Sequence, residues 1–152
     1  MQEGSWNNPP VVASTFDDIK NTGFKGVRLP VTYAYHYKTQ SPVWTLDPVW
    51  LERVSTVLDM ITSRGLYVIT NVHHDSWTWA DYTQAGANIT AVEERLYKTW
   101  VQIGQKLACK GEKVVCLDIR TSSNGSANVP RPSRPSTRSP APPKPTGRKL
   151  TD

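Results

Sequence analysis

An arginine inside an apolar run and a His-His-Asp triplet at the end of another are the residues of this sequence best suited to chemistry. Arg28 sits within Gly26-Val27-Arg28-Leu29-Pro30-Val31-Thr32. An unpaired guanidinium is costly to bury there, so it must have partners. Two roles are open to it: a structural one, bonding loop carbonyls, and a functional one, holding a carboxylate ionised. His73, His74 and Asp75 close the run Leu66–Val72. Their types invite a metal, but along a continuing strand the two imidazoles point to opposite sides, so no metal site is expected. Hydrogen bonding to sugar hydroxyls fits better, because aromatic residues crowd the adjoining segments. Trp77, Trp79 and Tyr82 follow the triplet, Tyr33, Tyr35, His36 and Tyr37 follow the arginine run, and Trp6 lies near the start. Aromatic faces suit the C–H faces of sugars, and imidazoles suit their hydroxyls. Some of these rings are expected instead to pack the loops.

The elements that must position these residues alternate. Helices are predicted over Ser14–Gly23, Asp47–Gly65 and Thr90–Gly111. Ser14 with Asp17, and Thr90 with Glu93, read as capping pairs. Asp47 reads as an N-cap with Pro48 in the first helical position. Leu51, Val54, Leu58 and Ile61 recur at helical spacing, as do Val92, Leu96, Trp100, Ile103 and Leu107. Each helix is followed by a β-rich run: Gly26–Thr32, Leu66–Val72 and Lys113–Leu117. Helix and strand in alternation predict a parallel sheet, either a (β/α)₈ barrel or a doubly wound sheet. No glycine-rich phosphate loop follows any strand, which counts against nucleotide-binding versions. In a barrel the strand C-termini carry the site, and that is where Arg28 and His73 to Asp75 fall.

Charge and composition divide the chain. Residues 1–119 carry a net charge of −1 and residues 120–152 one of +6. The basic character therefore belongs to the tail, and a nucleic-acid surface on the folded part is not expected. Every aromatic residue lies at or before Trp100, and seven of the twelve prolines lie between Pro130 and Pro145. The expected division is a folded segment, 1–119, and a disordered Pro/Ser/Arg-rich tail, 120–152. No membrane-spanning stretch is expected, and Met1-Gln2-Glu3-Gly4 does not open a signal peptide. Cys109 and Cys116 match no zinc spacing, and either a local disulfide or free thiols would fit. Asn88-Ile89-Thr90 and Asn124-Gly125-Ser126 fit the N-glycosylation pattern.

Four segments carry a resemblance: Glu3-Gly4-Ser5-Trp6-Asn7-Asn8-Pro9-Pro10, Gly23-Phe24-Lys25-Gly26-Val27-Arg28-Leu29-Pro30-Val31-Thr32, Leu46-Asp47-Pro48-Val49-Trp50-Leu51 and Gly65-Leu66-Tyr67-Val68-Ile69-Thr70-Asn71-Val72-His73-His74-Asp75. In this order and spacing the chain resembles glycoside hydrolase family 5, the cellulase-type barrel enzymes, and especially secreted fungal endoglucanase-like members. The resemblance covers roughly residues 3–115. It implies an N-terminal fragment of a (β/α)₈ TIM barrel, about strands 2–4 with their helices. It also implies a retaining mechanism with two carboxyl groups, one nucleophilic and one acid/base. Arg28 matches the arginine that supports the nucleophile and His73 the histidine beside the catalytic centre. His74 and Trp77 match positions that contact sugar. Trp6, Tyr33, His36 and Trp79 join them as substrate-binding candidates from the aromatic rim.

The departure from the family is at the carboxylates. The acid/base glutamate of the family follows an asparagine at the end of strand four, but here Cys116-Leu117-Asp118-Ile119-Arg120-Thr121-Ser122 contains no Asn-Glu. Asp118 matches no motif. No catalytic residue is therefore assigned. Arg120 to Gly125 can be encoded CGA ACG AGC TCC AAC GGN, which from its third nucleotide reads Asn-Glu-Leu-Gln-Arg. The tail is thus expected to reflect a frameshift or gene-model artefact. The resulting expectation is a fragment of a retaining β-glucan hydrolase in polysaccharide catabolism, inactive as this chain. It would be a monomer, with no cofactor, metal, membrane or nucleic-acid partner and a β-linked polysaccharide or oligosaccharide as ligand. The parent family implies an extracellular setting. The alternatives are a non-catalytic glycan-binding remnant, or a parent acting on mannan, xyloglucan or β-1,6-galactan.

Overall fold

Asp47 and Pro48 start a helix as their chemistry dictates. In the computed structural model, which describes residue 3 and residues 7–117, α2 (Pro48–Thr62) is capped by Asp47. The carboxylate accepts from the Val49 N–H at 2.9 Å, satisfying a donor the helix leaves open. The other two helices begin differently from expectation. In α1 (Ala13–Asn21), Val12 occupies the cap position with no side-chain cap, so Ser14 lies inside the helix. Asp17 instead takes both of its oxygens to Arg64, at 2.6 and 2.8 Å. In α3 (Ile89–Leu107), Asn88 is the cap, its Oδ1 accepting from Ala91 N–H at 3.1 Å. Asparagine caps at least as well as threonine and comes two residues earlier, so Thr90 falls in the first turn.

The strands are β1 (Gly26–Val31), β2 (Tyr67–Val72) and β3 (Val114–Leu117), all parallel in the order β1-β2-β3. Their register sets the faces. Val27, Val68 and Val114 are aligned, as are Arg28, Ile69 and Val115. Side chains alternate along a strand, so these two rows lie on opposite sides. The first side meets the helices. Val31, Val68 and Val72 share one core with Val54, Leu58 and Ile61 of α2, Ile103 and Leu107 of α3, and Phe16 of α1. Tyr67, Ile69 and Val115, on the other side, are exposed. A doubly wound sheet carries helices on both faces. Here they cover one, which is the layering of a (β/α) barrel arc, with the open side corresponding to the barrel interior. None of the described helices is long and apolar enough to cross a membrane.

The loop from residue 32 to residue 47 is fastened to α3. Tyr37 Oη and Thr99 Oγ1 are 2.6 Å apart. Gln102 accepts from Leu46 N–H through Oε1 at 2.8 Å and donates through Nε2 to the Trp44 carbonyl at 2.9 Å. Lys98 donates to the Pro42 carbonyl. Cys109 and Cys116 are both free thiols. The described residues lie within one unit, Met1–Thr121. The expected tail 120–152, together with Asp118 and the Asn124 triplet, lies outside the described residues.

Candidate functional site

The C-terminal ends of β1 and β2 lie side by side because the strands pair in parallel, Pro30 opposite Asn71 and Val31 opposite Val72. Arg28 and Asn71 are on the same side of this sheet. Arg28 Nε donates to Asn71 Oδ1 at 3.3 Å, and Arg28 Nη2 lies 3.3 Å from His73 Nδ1. Guanidinium can only donate, so His73 Nδ1 accepts and its proton resides on Nε2. Asn71 Nδ2 donates to the Val72 carbonyl at 2.9 Å and lies 3.5 Å from His73 Nδ1. Arg28 is thus paired, as expected, yet it is not buried: it stands on the open side of the sheet. Asn71 is the member that sequence reasoning missed. Its signal was parity, since two residues after Ile69 it returns to the side that Ile69 shares with Arg28.

The next residues depart from strand geometry. β2 ends at Val72, His73 takes φ −115° and ψ −85°, and His74–Trp77 form a 3₁₀ turn. The two imidazoles, expected on opposite sides of a continuing strand, therefore come together with centroids 4.3 Å apart. His74 Nδ1 lies 3.2 Å from Thr32 Oγ1, and its ring meets that of Trp77 at 4.1 Å, tilted by 46°. Trp77 is 64% exposed. A row runs from Arg28 and Asn71 through His73 and His74 to an open indole, offering N–H donors and an apolar face together.

Asp75 belongs to the scaffold of this row. It is fully buried, accepting from Tyr33 N–H through Oδ2 and from Trp79 Nε1–H through Oδ1, each at 2.8 Å. Burial pushes its carboxyl above the usual value despite these donors. Among the described residues, no group of three His, Cys, Asp or Glu side chains is placed to hold a metal ion.

Three expected substrate contacts are corrected by these arrangements. Tyr33 is 1% exposed and packs in the core, because Asp75 draws its backbone inward. His36 stacks flat on Trp50 of α2, with centroids 3.9 Å apart and planes 4° from parallel, so it serves the loop's packing. Trp79 is half-buried, tied to Asp75 and lying against Arg95, whose Cζ is 4.3 Å from its ring. Trp6 lies outside the described residues. Arg28, His73, His74 and Trp77 are the candidates the structure brings together.

Partial burial, then His74, then Arg28 hold the His73 imidazole below its ordinary value. The folded pKa is below the unfolded one, so the neutral ring's contribution is full above about pH 6.5 and declines as pH falls below it. Arg28→Ala removes one of these causes, and the expected result is an upward shift of the His73 titration. NMR of the ring carbons checks this; an unchanged or lowered midpoint would contradict it.

The model of the family described as Cellulase (glycosyl hydrolase family 5) matches residues 1–120. Endoglucanase H of Acetivibrio thermocellus is 39% identical over 113 residues, covering 74% of this chain and 12% of that protein. A solved tri-modular GH5 subfamily 4 endo-β-1,4-glucanase from Bacillus licheniformis, complexed with cellotetraose, aligns with a TM-score of 0.71 at 41% identity. That alignment covers 76% of this chain and 22% of the other. A family 5 xyloglucanase from Paenibacillus pabuli aligns with a TM-score of 0.69 at 32% identity, over 76% and 33% of the two chains. The chain thus spans a third or less of the length of each.

Proposed function

This chain belongs to the cellulase family, glycosyl hydrolase family 5, and from that premise we propose that its strand ends form part of a β-glucan-binding cleft that binds without hydrolysing. The observation that carries the binding is the row Arg28–Asn71–His73–His74–Trp77 at the ends of β1 and β2. Trp77 offers a face for a pyranose ring. His74 and the Nε2–H of His73 supply hydroxyl partners, and Arg28 with Asn71 fixes the tautomer and angle of His73. In the whole family barrel the same Arg28 would lie beside the nucleophile and help keep it ionised. A cellulose-type glucan and xyloglucan are the favoured ligands, since a cellotetraose-bound glucanase and a xyloglucanase share this arc.

Retaining hydrolysis needs two carboxyl groups about 5–5.5 Å apart. Among the described residues the acid nearest the row in sequence is Asp75, buried with both oxygens engaged. Glu3, at the other end of the chain segment, is bound to Arg53 through both oxygens, at 2.6 and 2.8 Å. Neither is free to attack or protonate a glycosidic bond. The expected result is no release of reducing sugar from carboxymethyl-cellulose by the 152-residue chain, with weak retention on insoluble cellulose that Trp77→Ala reduces by roughly 3–10-fold. Hydrolysis that persists through purification would overturn the non-hydrolytic part. Retention unaltered by Trp77→Ala would overturn the assignment of the binding row.

A further inference from the structure

Asn88-Ile89-Thr90 is the one Asn-X-Ser/Thr triplet among the described residues, and the binding row makes no use of it. It stands at the start of α3, where all three residues are exposed, Ile89 to 52%. The chain leading to it, Thr83 to Gly86, is exposed as well, and no atom lies within 4 Å of the space a side chain at Gly86 would enter. The surroundings of the triplet are open enough for a bulky hydrophilic group.

The two polar atoms of the Asn88 side chain are divided in their work. Oδ1 accepts from Ala91 N–H at 3.1 Å and caps α3. The cap uses the oxygen alone, and Nδ2 takes no part in it. A sugar linked to asparagine is attached through that nitrogen and leaves the amide carbonyl in place. A glycosylated Asn88 therefore still accepts from Ala91, and the helix keeps its cap.

The order of synthesis exposes the triplet at the right time. Val92, Leu96, Ile103 and Leu107 are the apolar residues that bury α3, and all of them follow Thr90 in the chain. A helix of this kind is held mainly by its packed face. When Asn88 is first presented it is part of an unfolded stretch, which a transferase can bind extended.

We propose that Asn88 is an acceptor for an N-linked glycan, with a polyprenyl-pyrophosphate-linked oligosaccharide as donor. The Asn88 nitrogen bonds to C1 of the first sugar, and the C1–O bond to phosphate breaks. Its electron pair leaves with the pyrophosphate, the nitrogen gives up one proton, and nothing is oxidised or reduced. The proposal stands apart from the β-glucan reading.

The test is expression of the 152-residue chain behind a cleavable leader in a eukaryotic secretory host. Chain from the medium and from the secretory lumen is treated with peptide N-glycosidase in ¹⁸O-water and mapped by mass spectrometry. The expected result is a glycan on Asn88 in most molecules, leaving an ¹⁸O-labelled aspartate after release. Asn88→Gln and Thr90→Ala should each abolish it, while Thr90→Ser and Asn124→Gln should retain it. The glycosylated and enzyme-released chains should share one urea midpoint, since aspartate caps as well as asparagine. Asn88→Gln should lower that midpoint by roughly 0.3–1 M. An unmodified Asn88 in both fractions, or a glycan at Asn124 alone, would overturn the proposal. Occupancy that survives Thr90→Ala would do so too, and a lower midpoint for the glycosylated chain would overturn the preserved cap.

Discussion

Replacing Asp75 by alanine is expected to cost about 3–5 kcal/mol of stability, because it strands two buried donors and leaves a void beneath the His73–Ala80 turn. The Tyr33 N–H and the Trp79 indole N–H have their partner in this one carboxylate, and each buried donor left unmade costs about 1–3 kcal/mol. A small domain has roughly 5–15 kcal/mol in all. Three strands with one covered face stand at the low end of that range, so native indole dispersion should vanish in Asp75→Ala. Asp75→Asn keeps one acceptor but turns an N–H₂ toward the other donor, and about half the loss is expected. Burial raises the Asp75 pKa above its unfolded value of 3.8. The folded state therefore holds that proton more tightly, and stability falls as pH rises from about 3.8 through the raised value. The asparagine variant should lack this slope. Urea titrations followed by tryptophan emission measure all three quantities, and a midpoint in Asp75→Ala equal to that of the parent chain would show that Asp75 does not hold the turn.

The second large effect is expected in the nucleotide sequence. The family match runs to residue 120, and beyond it there is no aromatic residue and proline and serine dominate. We propose that residues 1–119 are the barrel part and that 120–152 are read in a shifted frame. Sequencing codons 110–125 should then reveal a change of one or two nucleotides, or an intron, that restores Asn-Glu and continues into further βα units. The chain so read should hydrolyse carboxymethyl-cellulose, in contrast to the result expected of the 152-residue chain. Replacing its restored glutamate by glutamine should lower the rate by about 10²–10⁴-fold, the usual contribution of a positioned acid/base. Stop codons in both other frames within a few codons, with no splice signals, would make the tail genuine and end this proposal.

The order of elements was legible because local chemistry decides it. Asp47-Pro48 can do little but begin a helix, and the valine-rich runs can do little but pair. The barrel arc was legible as one of two options, and the single helix-covered face decides between them. What sequence could not show was where β2 stops. Period-two alternation through His73 and His74 separates the rings, and a backbone turn at His73 joins them. Tyr33 and His36 failed as sugar contacts, and Trp79 stands apart from the row, for a related reason. Residue type announces an aromatic loop but not which way it faces, and here Asp75, Trp50 and Arg95 draw these three inward. Arg95 itself was invisible, since its partners Tyr37 and Trp44 lie more than fifty residues earlier in the chain.

The register of the sheet also sets a timetable for synthesis. Gly26 waits for Tyr67, and Val68 for Val114. At ribosomal rates of 5–20 residues per second, each strand emerges about 2–9 s before its neighbour exists. During the first interval Val27, Leu29 and Val31 have only α1 and, late in it, α2 beside them, and Arg28 has neither Asn71 nor His73. A nascent chain paused in that window presents a lone apolar strand with a bare cation, so codon choice between Thr32 and Leu66 bears on yield even where it leaves every residue unchanged.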